Sequence, residues 1–530
     1  MRIIKNPLLG ILLLVLILGI VPVHFSSLGV EEARIASRAY YLSTTLKDEL
    51  GRFLPILFNS LTDYQLPVVS YITALSAFVL GKSEFAVRLP FILFGLGIIL
   101  LTYKIAQTID KSSELKLFSV IMLIGSPLFI TILRVPNEYV LLTFLLTLTY
   151  FLLNRGGKIS KLVFIPVVLS YLTSKNAWII LPPFILITLY LQRKIIDRSA
   201  LILLVTSLIL SITAFLVFLQ IPQGKRSLLE NNFPIFSAIS LRNGIEQLRG
   251  QGIDVGFPAF LDRLFFNKTH FFVAGIFHLF SHFQPAVLFA QLDKNGTLGL
   301  LGMGVWAKVL IIPFLMGLVT IIQKGDRILK SMIYLPFILT LPLLFIFPNI
   351  NLALLTLSLP FTAIVIAFGL TRLPRILGFS LIVMVFAEVG FNLVNLTPQI
   401  KYSNNTRPYW VKEIVGNAYD LSLHKRVAIS DDIVDELVPF LFWYTKINLE
   451  AQKDLKFPYR FRQTKLSNIT IIGSENFFYG CGKDAPTDLI LSSRDILKIQ
   501  NREDFKIDKI YKDSLDKDIG FLIKSKICVQ

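Results

Sequence analysis

The stretch RLPFILFGLGIILLTYKIAQ, residues 88–107, decides the fold class of this chain. After its first residue it contains one charged side chain, Lys104, and about 20 residues of this composition form an α-helix that crosses a bilayer. Similar runs recur through most of the chain, in which 54% of the 530 residues are hydrophobic and 17% are charged. Soluble domains carry about 25% charged residues. The sequence therefore predicts a polytopic α-helical membrane protein.

Apolar windows of about 19 residues predict about eleven membrane spans. The first of them has the basic start and apolar core of a signal peptide, but it is long and no small-residue cleavage site follows, so we expect a retained helix. The predicted spans are 7–24, 88–107, 115–133, 137–154, 160–173, 176–192, 199–220, 299–322, 330–347, 351–370 and 376–396.

A further run, LPVVSYITALSAFVLG at 66–81, is short for a bilayer and is interrupted by serine and threonine. If it does not cross and the N-terminus is cytoplasmic, every inside loop is basic, as the positive-inside rule requires. If it crosses, all these clusters move outside. We therefore predict a juxtamembrane helix on the outer surface. The basic clusters are Lys104, Lys111 and Lys116; Arg155, Lys158 and Lys161; Arg193, Lys194 and Arg198; Lys324, Arg327 and Lys330; and Arg372 and Arg375.

The composition changes abruptly near residue 398, which predicts a membrane domain at 1–398 and a small extracytoplasmic α/β domain at 399–530. Short alternating stretches such as KRVAIS, NITIIG and DLILSS favour strands in this second domain. Both cysteines, Cys481 and Cys528, lie in it on the oxidising side, and a disulfide and two free thiols both stay open.

The formal net charge of +18 does not indicate nucleic-acid binding. The lysines and arginines are confined to short clusters between apolar runs, which is the distribution of cytoplasmic loops in membrane proteins. We expect no nucleic-acid partner.

Two groups of charged residues lie on the predicted outer side. Glu31 and Glu32 follow the first span directly, in GVEEAR. Arg134 and Glu138 lie in a short outer turn, where an arginine at the membrane surface is costly unless it meets an anion. Two interpretations of the second group stay open. It is either an ion pair one helical turn apart or a guanidinium placed to clamp a phosphate.

Several motifs in order give the chain a family resemblance. GVEEAR is followed by GKSEFAVRLP at 81–90 and by SPLFITILR at 126–134 with Glu138 after it. These segments resemble the opening of the polyprenol-phosphate-dependent glycosyltransferases of the GT-C fold. The closest resemblance is to glycosyltransferase family 39, the branch of protein O-mannosyltransferases and aminoarabinose transferases. The later segments LFFNKTHFF (264–272) and LDKNGTLGLLG (292–302) resemble its later outer segment more weakly.

The resemblance implies a site. Glu31 and Glu32 occupy the family's Asp-Glu positions and would be catalytic, and Arg134 with Glu138 would bind the donor phosphate. Glu31 replaces an aspartate, and the family's basic Lys-or-His-Pro-Pro-Leu motif is replaced by residues 65–68. Further substrate-site candidates are Asp48, Asp63, Tyr64, Gln65 and Arg88.

The predicted function is transfer of a sugar from a polyprenyl-phosphate donor to a protein or envelope glycolipid acceptor on the outer face of a bacterial inner membrane. The expected partners are this lipid-linked donor, the acceptor and membrane lipids. We expect no cofactor and no metal, because His278 and His282 share a helix face without the glutamate of a zinc-protease motif. The alternatives are a transporter or flippase, a catalytically degenerate GT-C relative, and a membrane anchor for the C-terminal domain. The sequence shows no internal repeat of the transporter kind.

Overall fold

The computed structural model describes Gly10 and residues 28–48, 51–59, 64–110, 112–155, 162–191, 198–220, 235, 239–256, 258–264, 269–290, 304–345, 351–402, 410–434, 437–445, 464–466, 468–472, 488–499, 505–512 and 517–525. The chain divides into two units. The first comprises residues 1–19, 62–68 and 91–393, and the second comprises 20–61, 69–90 and 394–530.

Helices dominate the chain between residues 67 and 402. They are interrupted by 3₁₀ turns at Lys308–Leu310, Leu341–Leu344 and Thr356–Ser358 and by a π-helical turn at Ala286–Ala290. The α-helices are Pro67–Leu80, Glu84–Ile109, Ser113–Ile124, Pro127–Ile132, Glu138–Arg155, Phe164–Thr173, Asn176–Leu191, Arg198–Gln220, Ile239–Asp254, Ala259–Leu264, His270–Ser281, Ile311–Lys324, Arg327–Leu339, Leu352–Leu355, Leu359–Leu370 and Arg375–Tyr402.

Among the described residues, three helical segments are long and apolar enough to cross a membrane: Glu84–Ile109, His270–Ala290 and Leu352–Leu370. The first and third coincide with the predicted spans 88–107 and 351–370. The second lies where the sequence predicts an outer segment, because Ser281, His282 and Gln284 interrupt its apolar run. The count of eleven spans stays a prediction, and all of the predicted span 7–24 except Gly10 lies outside the described residues.

The predicted span 115–133 is two helices instead of one. Ser113–Ile124 ends at Gly125, and Pro127 starts the next helix, where proline is favoured because its missing N–H needs no partner. Ser126 caps this second helix, with its Oγ accepting from Phe129 N at 3.3 Å. The same hydroxyl donates to the carbonyl of Val305 at 2.7 Å, so the break joins two distant parts of the first unit.

Glycines allow two helices of the first unit to approach closely. Helix Ile311–Lys324 crosses helix Leu359–Leu370, and a Cβ on Gly369 would collide with the carbonyl oxygen of Pro313. A Cβ on Gly317 would collide with the carbonyl of Val365 in the same way. Small residues at a crossing of this kind are typical of membrane helix packing.

The second unit contains a six-stranded sheet, formed in chain order by β3 Val427–Ser430, β4 Thr464–Leu466, β5 Ile469–Ile472, β6 Asp488–Ser492, β7 Phe505–Lys512 and β8 Asp518–Ser525. The strand order in the sheet is β4-β5-β3-β6-β8-β7. Strand β3 pairs parallel with β5 and β6, and the remaining pairs are antiparallel. The three strand-like stretches noted in the sequence form β3, β5 and β6. Two short strands, β1 Phe58–Asn59 and β2 Tyr64–Gln65, lie outside this sheet.

The core of the second unit joins segments far apart in the chain. Helix Val30–Thr45, which we name the acid helix because it carries Glu31 and Glu32, shares one buried apolar cluster with helix Leu437–Tyr444 and with the sheet. We name Leu437–Tyr444 the aromatic helix, after its sequence LVPFLFWY. Helices Val411–Ser422 and Ser493–Ile499 also belong to this unit. The described segments after residue 410 in the shared cluster therefore pack onto the segment that directly follows the first predicted span.

Candidate active site

The two acids occupy the first turn of the acid helix, where the N-terminal end of the helix dipole favours negative charge. Gly29 precedes the helix in an extended conformation, and its N–H donates to Glu32 Oε2 at 2.8 Å. This contact satisfies one of the backbone donors that a helix N-terminus leaves without an intrahelical partner. Glu32 therefore fixes the point at which the helix begins.

Glu31 faces solvent, and its side chain is 64% exposed. Its two carboxylate oxygens accept from Arg34 Nη1 at 3.1 and 2.9 Å, one turn further along the helix. The Arg34 side chain is only 9% exposed, whereas the carboxylate that it contacts stands in solvent. The arginine therefore orients the carboxylate without enclosing it.

Glu32 is the opposite case. Its carboxylate accepts from Arg88 Nη2 at 2.8 Å and from Arg88 Nε at 3.3 Å. The two side chains are 2% and 1% exposed, and they lie 56 residues apart in the chain. A fork of two N–H donors meeting one carboxylate gives a directional contact as well as charge neutralisation. Arg88 thus links the GKSEFAVRLP motif to the acid helix.

Two further charged residues of this unit are also enclosed. Arg38 is 1% exposed, and its guanidinium carbon lies 4.7 Å from the ring centroid of Phe58. Asp48, a substrate-site candidate, is fully buried and accepts from Arg52 Nε at 2.7 Å and from the backbone N–H of Arg52 at 2.8 Å. These contacts give Asp48 a clear role in closing a turn after the acid helix.

The Arg134 turn belongs to the first unit. Arg134 follows helix Pro127–Ile132 and is 5% exposed, and Glu138 starts the next helix. Between them, the Asn137 amide donates to the carbonyls of Ile132 at 3.1 Å and Val135 at 2.6 Å. Its oxygen accepts from Val140 N at 2.9 Å, which caps the helix that Glu138 begins. One asparagine therefore holds both ends of the turn that carries the arginine.

A second buried cation lies in the same unit and was not among the sequence candidates. Lys175 is 7% exposed, in a two-residue turn between helices Phe164–Thr173 and Asn176–Leu191. Its Nζ lies 5.5 Å from the ring centroid of Phe218. In the predicted topology this turn faces outward, as the Arg134 turn does. The sequence feature that could have identified Lys175 is the polar triplet Ser-Lys-Asn between two apolar runs.

The remaining candidates are less fully described. Tyr64 and Gln65 form strand β2, with Gln65 half-buried. Asp63 lies outside the described residues, as do 265–268 of the first later motif segment and all of the second one. Cys481 and Cys528 also lie outside them.

No group of three or more histidine, cysteine, aspartate or glutamate side chains that could hold a metal occurs in the described part of the chain. His278 and His282 form a pair with ring centroids 4.7 Å apart. The Nδ1 of His282 lies 2.8 Å from the carbonyl oxygen of His278, and this contact sets the orientation of its ring.

Comparisons with known proteins agree with the motifs. Residues 65–229 match the family model of dolichyl-phosphate-mannose-protein mannosyltransferases. A curated relative from Bacillus subtilis (strain 168), named "Putative mannosyltransferase YkcB", is 28% identical over 197 residues. That alignment covers 35% of this chain and 27% of the relative, so the chain matches about a quarter of the relative's length.

Solved structures of ArnT from Cupriavidus metallidurans share the fold. The apo structure superposes with a TM-score of 0.57 at 12% identity and covers 98% of this chain and 97% of its own. The structure bound to undecaprenyl phosphate gives a TM-score of 0.55 at 10% identity and covers 97% of each chain. At these identities the superposition establishes the fold alone.

The fold along the chain is the GT-C fold of the ArnT structures, and the family match at residues 65–229 supports an integral membrane protein. The predicted resemblance to the polyprenyl-phosphate-dependent glycosyltransferases is confirmed, on residues 65–229 by the family model and along the chain by the fold.

Proposed function

We propose that this protein is a membrane glycosyltransferase that moves a sugar from a polyprenyl-phosphate donor to a hydroxyl of a protein or envelope glycolipid. The family match and the bound undecaprenyl phosphate in one ArnT structure support a donor of this class. The reaction is proposed for the outer face of a bacterial inner membrane, with the N-terminus cytoplasmic and the C-terminal domain extracytoplasmic. The basic clusters in the predicted inside loops support that orientation.

The observation that carries the proposal is the difference between the two adjacent acids. Glu31 is exposed and Glu32 is enclosed by Arg88. A general base must reach the proton that it accepts, within hydrogen-bond distance in the substrate complex. The Glu31 carboxylate, which also accepts from Arg34, is exposed to an approaching acceptor, whereas the Glu32 carboxylate is buried against Gly29 and Arg88. We therefore assign the chemistry to Glu31 and a positioning role to Glu32.

The proposed step has one proton transfer and one substitution. Glu31 accepts the proton of the acceptor hydroxyl as its oxygen attacks the anomeric carbon of the donor sugar. The bond between that carbon and the phosphate oxygen breaks, its electron pair stays on the oxygen, and the polyprenyl phosphate leaves. Attack opposite the leaving group inverts the anomeric centre. No metal or cofactor is needed to balance this step.

Cations near the phosphate would lower the barrier, because negative charge develops on the leaving oxygen. We assign this role to Arg134, whose turn is held by Asn137. Glu138, which begins the next helix, stays a proposed part of the same donor site. Lys175 is a second candidate, because it is a buried ammonium on an outward turn and the basic residue of the family's Pro-Pro-Leu motif is Gln65 here. The buried Asp48 and Arg88 would stabilise the site without contacting the substrate, and Asp63 and Tyr64 remain proposed substrate contacts.

The test is sugar transfer in membranes supplied with a panel of labelled polyprenyl-phosphate sugars. Wild type, Glu31→Gln and Arg134→Ala would be compared at equal amounts of inserted protein, with Glu246→Gln as a control on an exposed helix. We expect transfer by wild type and the control, and loss of about a hundredfold or more in both site variants. Transfer that survives both changes would overturn the site assignment. No transfer from any donor would favour the degenerate relative or the flippase, which a lipid-translocation assay would then separate.

A further inference from the structure

The aromatic helix of the C-terminal region contacts the acid helix at the position that the chemistry depends on. Tyr444, its last residue, accepts a hydrogen bond from the backbone N–H of Leu28 at 3.3 Å. The next backbone amide, that of Gly29, donates to Glu32. Consecutive amides at the start of the acid helix are therefore held by two side chains, one of them 416 residues away in the chain.

Tyr444 also connects to the GKSEFAVRLP motif. Its hydroxyl donates to Glu84 Oε1 at 3.1 Å, while the same motif holds Glu32 through Arg88. Burial raises the pKa of the Tyr444 phenol well above its usual range, and the negative charge of Glu84 raises it further. The hydroxyl consequently keeps its proton and remains a donor to Glu84 while it accepts from Leu28.

Lys82, in the same motif, makes the second connection. Its ammonium donates to the carbonyl oxygens of Phe442 at 3.2 Å and Thr445 at 3.0 Å, which lie at the C-terminal end of the aromatic helix. Carbonyls at that end carry partial negative charge and few intrahelical partners, so a cation is favoured there. The Nζ also lies 4.5 Å from the ring centroid of Tyr40 in the acid helix.

Apolar packing supports both connections. The rings of Tyr41 and Phe442 meet edge to face, with centroids 5.7 Å apart. Ala33 and Ala36 of the acid helix are fully buried in the same cluster as Phe440 and Leu441. The acid helix therefore packs on the aromatic helix, and Glu31 is the exposed residue of its first turn.

We propose that the aromatic helix is part of the catalytic machinery, with Tyr444 as a positioning residue that sets where Glu31 stands. The inference rests on the proposed function for its kinetic part only. It gives the C-terminal region a role in the reaction beyond that of an attached domain. A shift of about 1 Å in a reacting group can cost on the order of a hundredfold in rate, so a hydroxyl that fixes the helix start acts on turnover.

The test compares two variants that each remove one tyrosine hydroxyl. Tyr444→Phe loses the contacts to Leu28 and Glu84. Tyr511→Phe is the matched control, because Tyr511 lies in the same apolar cluster and its hydroxyl accepts from Asn417 at 3.2 Å, far along the chain from the acid helix. Both proteins would be purified in lipid nanodiscs and assayed for transfer and for backbone amide exchange.

We expect Tyr444→Phe to lower kcat about 10- to 100-fold with the donor KM unchanged, and to speed exchange of peptide 28–36 about tenfold. Tyr511→Phe should leave both within about twofold of wild type. If Tyr444→Phe is not recovered folded, Lys82→Met carries the same expectation through the second connection. Equal kinetics in the two tyrosine variants, with equal exchange at 28–36, would overturn the proposal. If wild type shows no transfer, the proposed function fails and the exchange comparison alone decides whether Tyr444 positions the acid helix.

Discussion

The buried pair of Glu32 and Arg88 permits a quantitative test of the architecture around the acids. The two side chains are 2% and 1% exposed, and their closest atoms are 2.8 Å apart. Arg88→Met removes the cation that contacts the buried Glu32 carboxylate, and Glu32→Gln removes the anion that contacts the buried Arg88 guanidinium. Removing one partner of such a pair costs about 3–5 kcal/mol, because the remaining charge cannot regain its hydration.

The double variant Glu32→Gln with Arg88→Met should be more stable than either single variant. It removes both charges of the pair, and the glutamine oxygen still accepts from Gly29 N, so the helix start keeps its cap. Replacing a buried ion pair by neutral groups of similar volume is often close to neutral. We therefore expect a loss of about 1–2 kcal/mol in the double variant, mainly from imperfect packing of the methionine.

The measurement is the free energy of unfolding of all four proteins in mixed detergent micelles, followed by far-UV circular dichroism. A double variant whose free energy of unfolding is about 2 kcal/mol higher than that of either single variant would agree with an enclosed ion pair. A double variant that loses the sum of the two single losses would refute it, since the two side chains would then act independently.

Two further predictions concern the first unit. Gly369→Ala should destabilise the protein by about 1–3 kcal/mol, because the added methyl meets the carbonyl of Pro313. Gly390→Ala, with open space around it, is the control and should change stability by less than about 1 kcal/mol. Thermal unfolding in detergent compares the two variants, and equal shifts in their unfolding temperatures would contradict the close approach of the two helices. Asn137→Ala should raise the donor KM about tenfold by releasing the Arg134 turn, and a steady-state donor titration in which KM stays at the wild-type value would show that this turn does not bind the donor.

Features set by neighbouring residues in the chain can be predicted from the sequence, whereas features set by contacts between residues far apart in the chain cannot. The sequence predicts a helix at 66–81, and a helix occurs at Pro67–Leu80, with Leu75, Phe78 and Val79 exposed on it. Its juxtamembrane location stays a prediction. The apolar run sets its ends locally. The break at Ser126 was missed, because hydropathy averages over a window and one Gly-Ser-Pro step hardly changes that average. The sequence does not predict a span at His270–Ala290, because a few polar residues interrupt the apolar run of this helix.

The candidate site shows the same limit. The motifs brought Glu31, Glu32 and Arg88 into consideration, but nothing in the sequence distinguished the exposed acid from the enclosed one. That difference follows from a contact across 56 residues. No sequence pattern identifies Tyr444 as part of the site, because tertiary packing alone brings it into contact with Leu28 and Glu84. Pair contacts of this kind are not encoded in local periodicity.

The central claim is that Glu31 accepts the proton of the acceptor. It is tested most directly by single-turnover transfer at saturating donor, with wild type, Glu31→Gln and Glu31→Asp in nanodiscs. We predict that Glu31→Gln lowers the transfer rate about a hundredfold or more while the donor Kd stays unchanged. Glu31→Asp, which restores the family's residue, should keep measurable transfer. A glutamine variant that transfers at the wild-type rate would contradict the account.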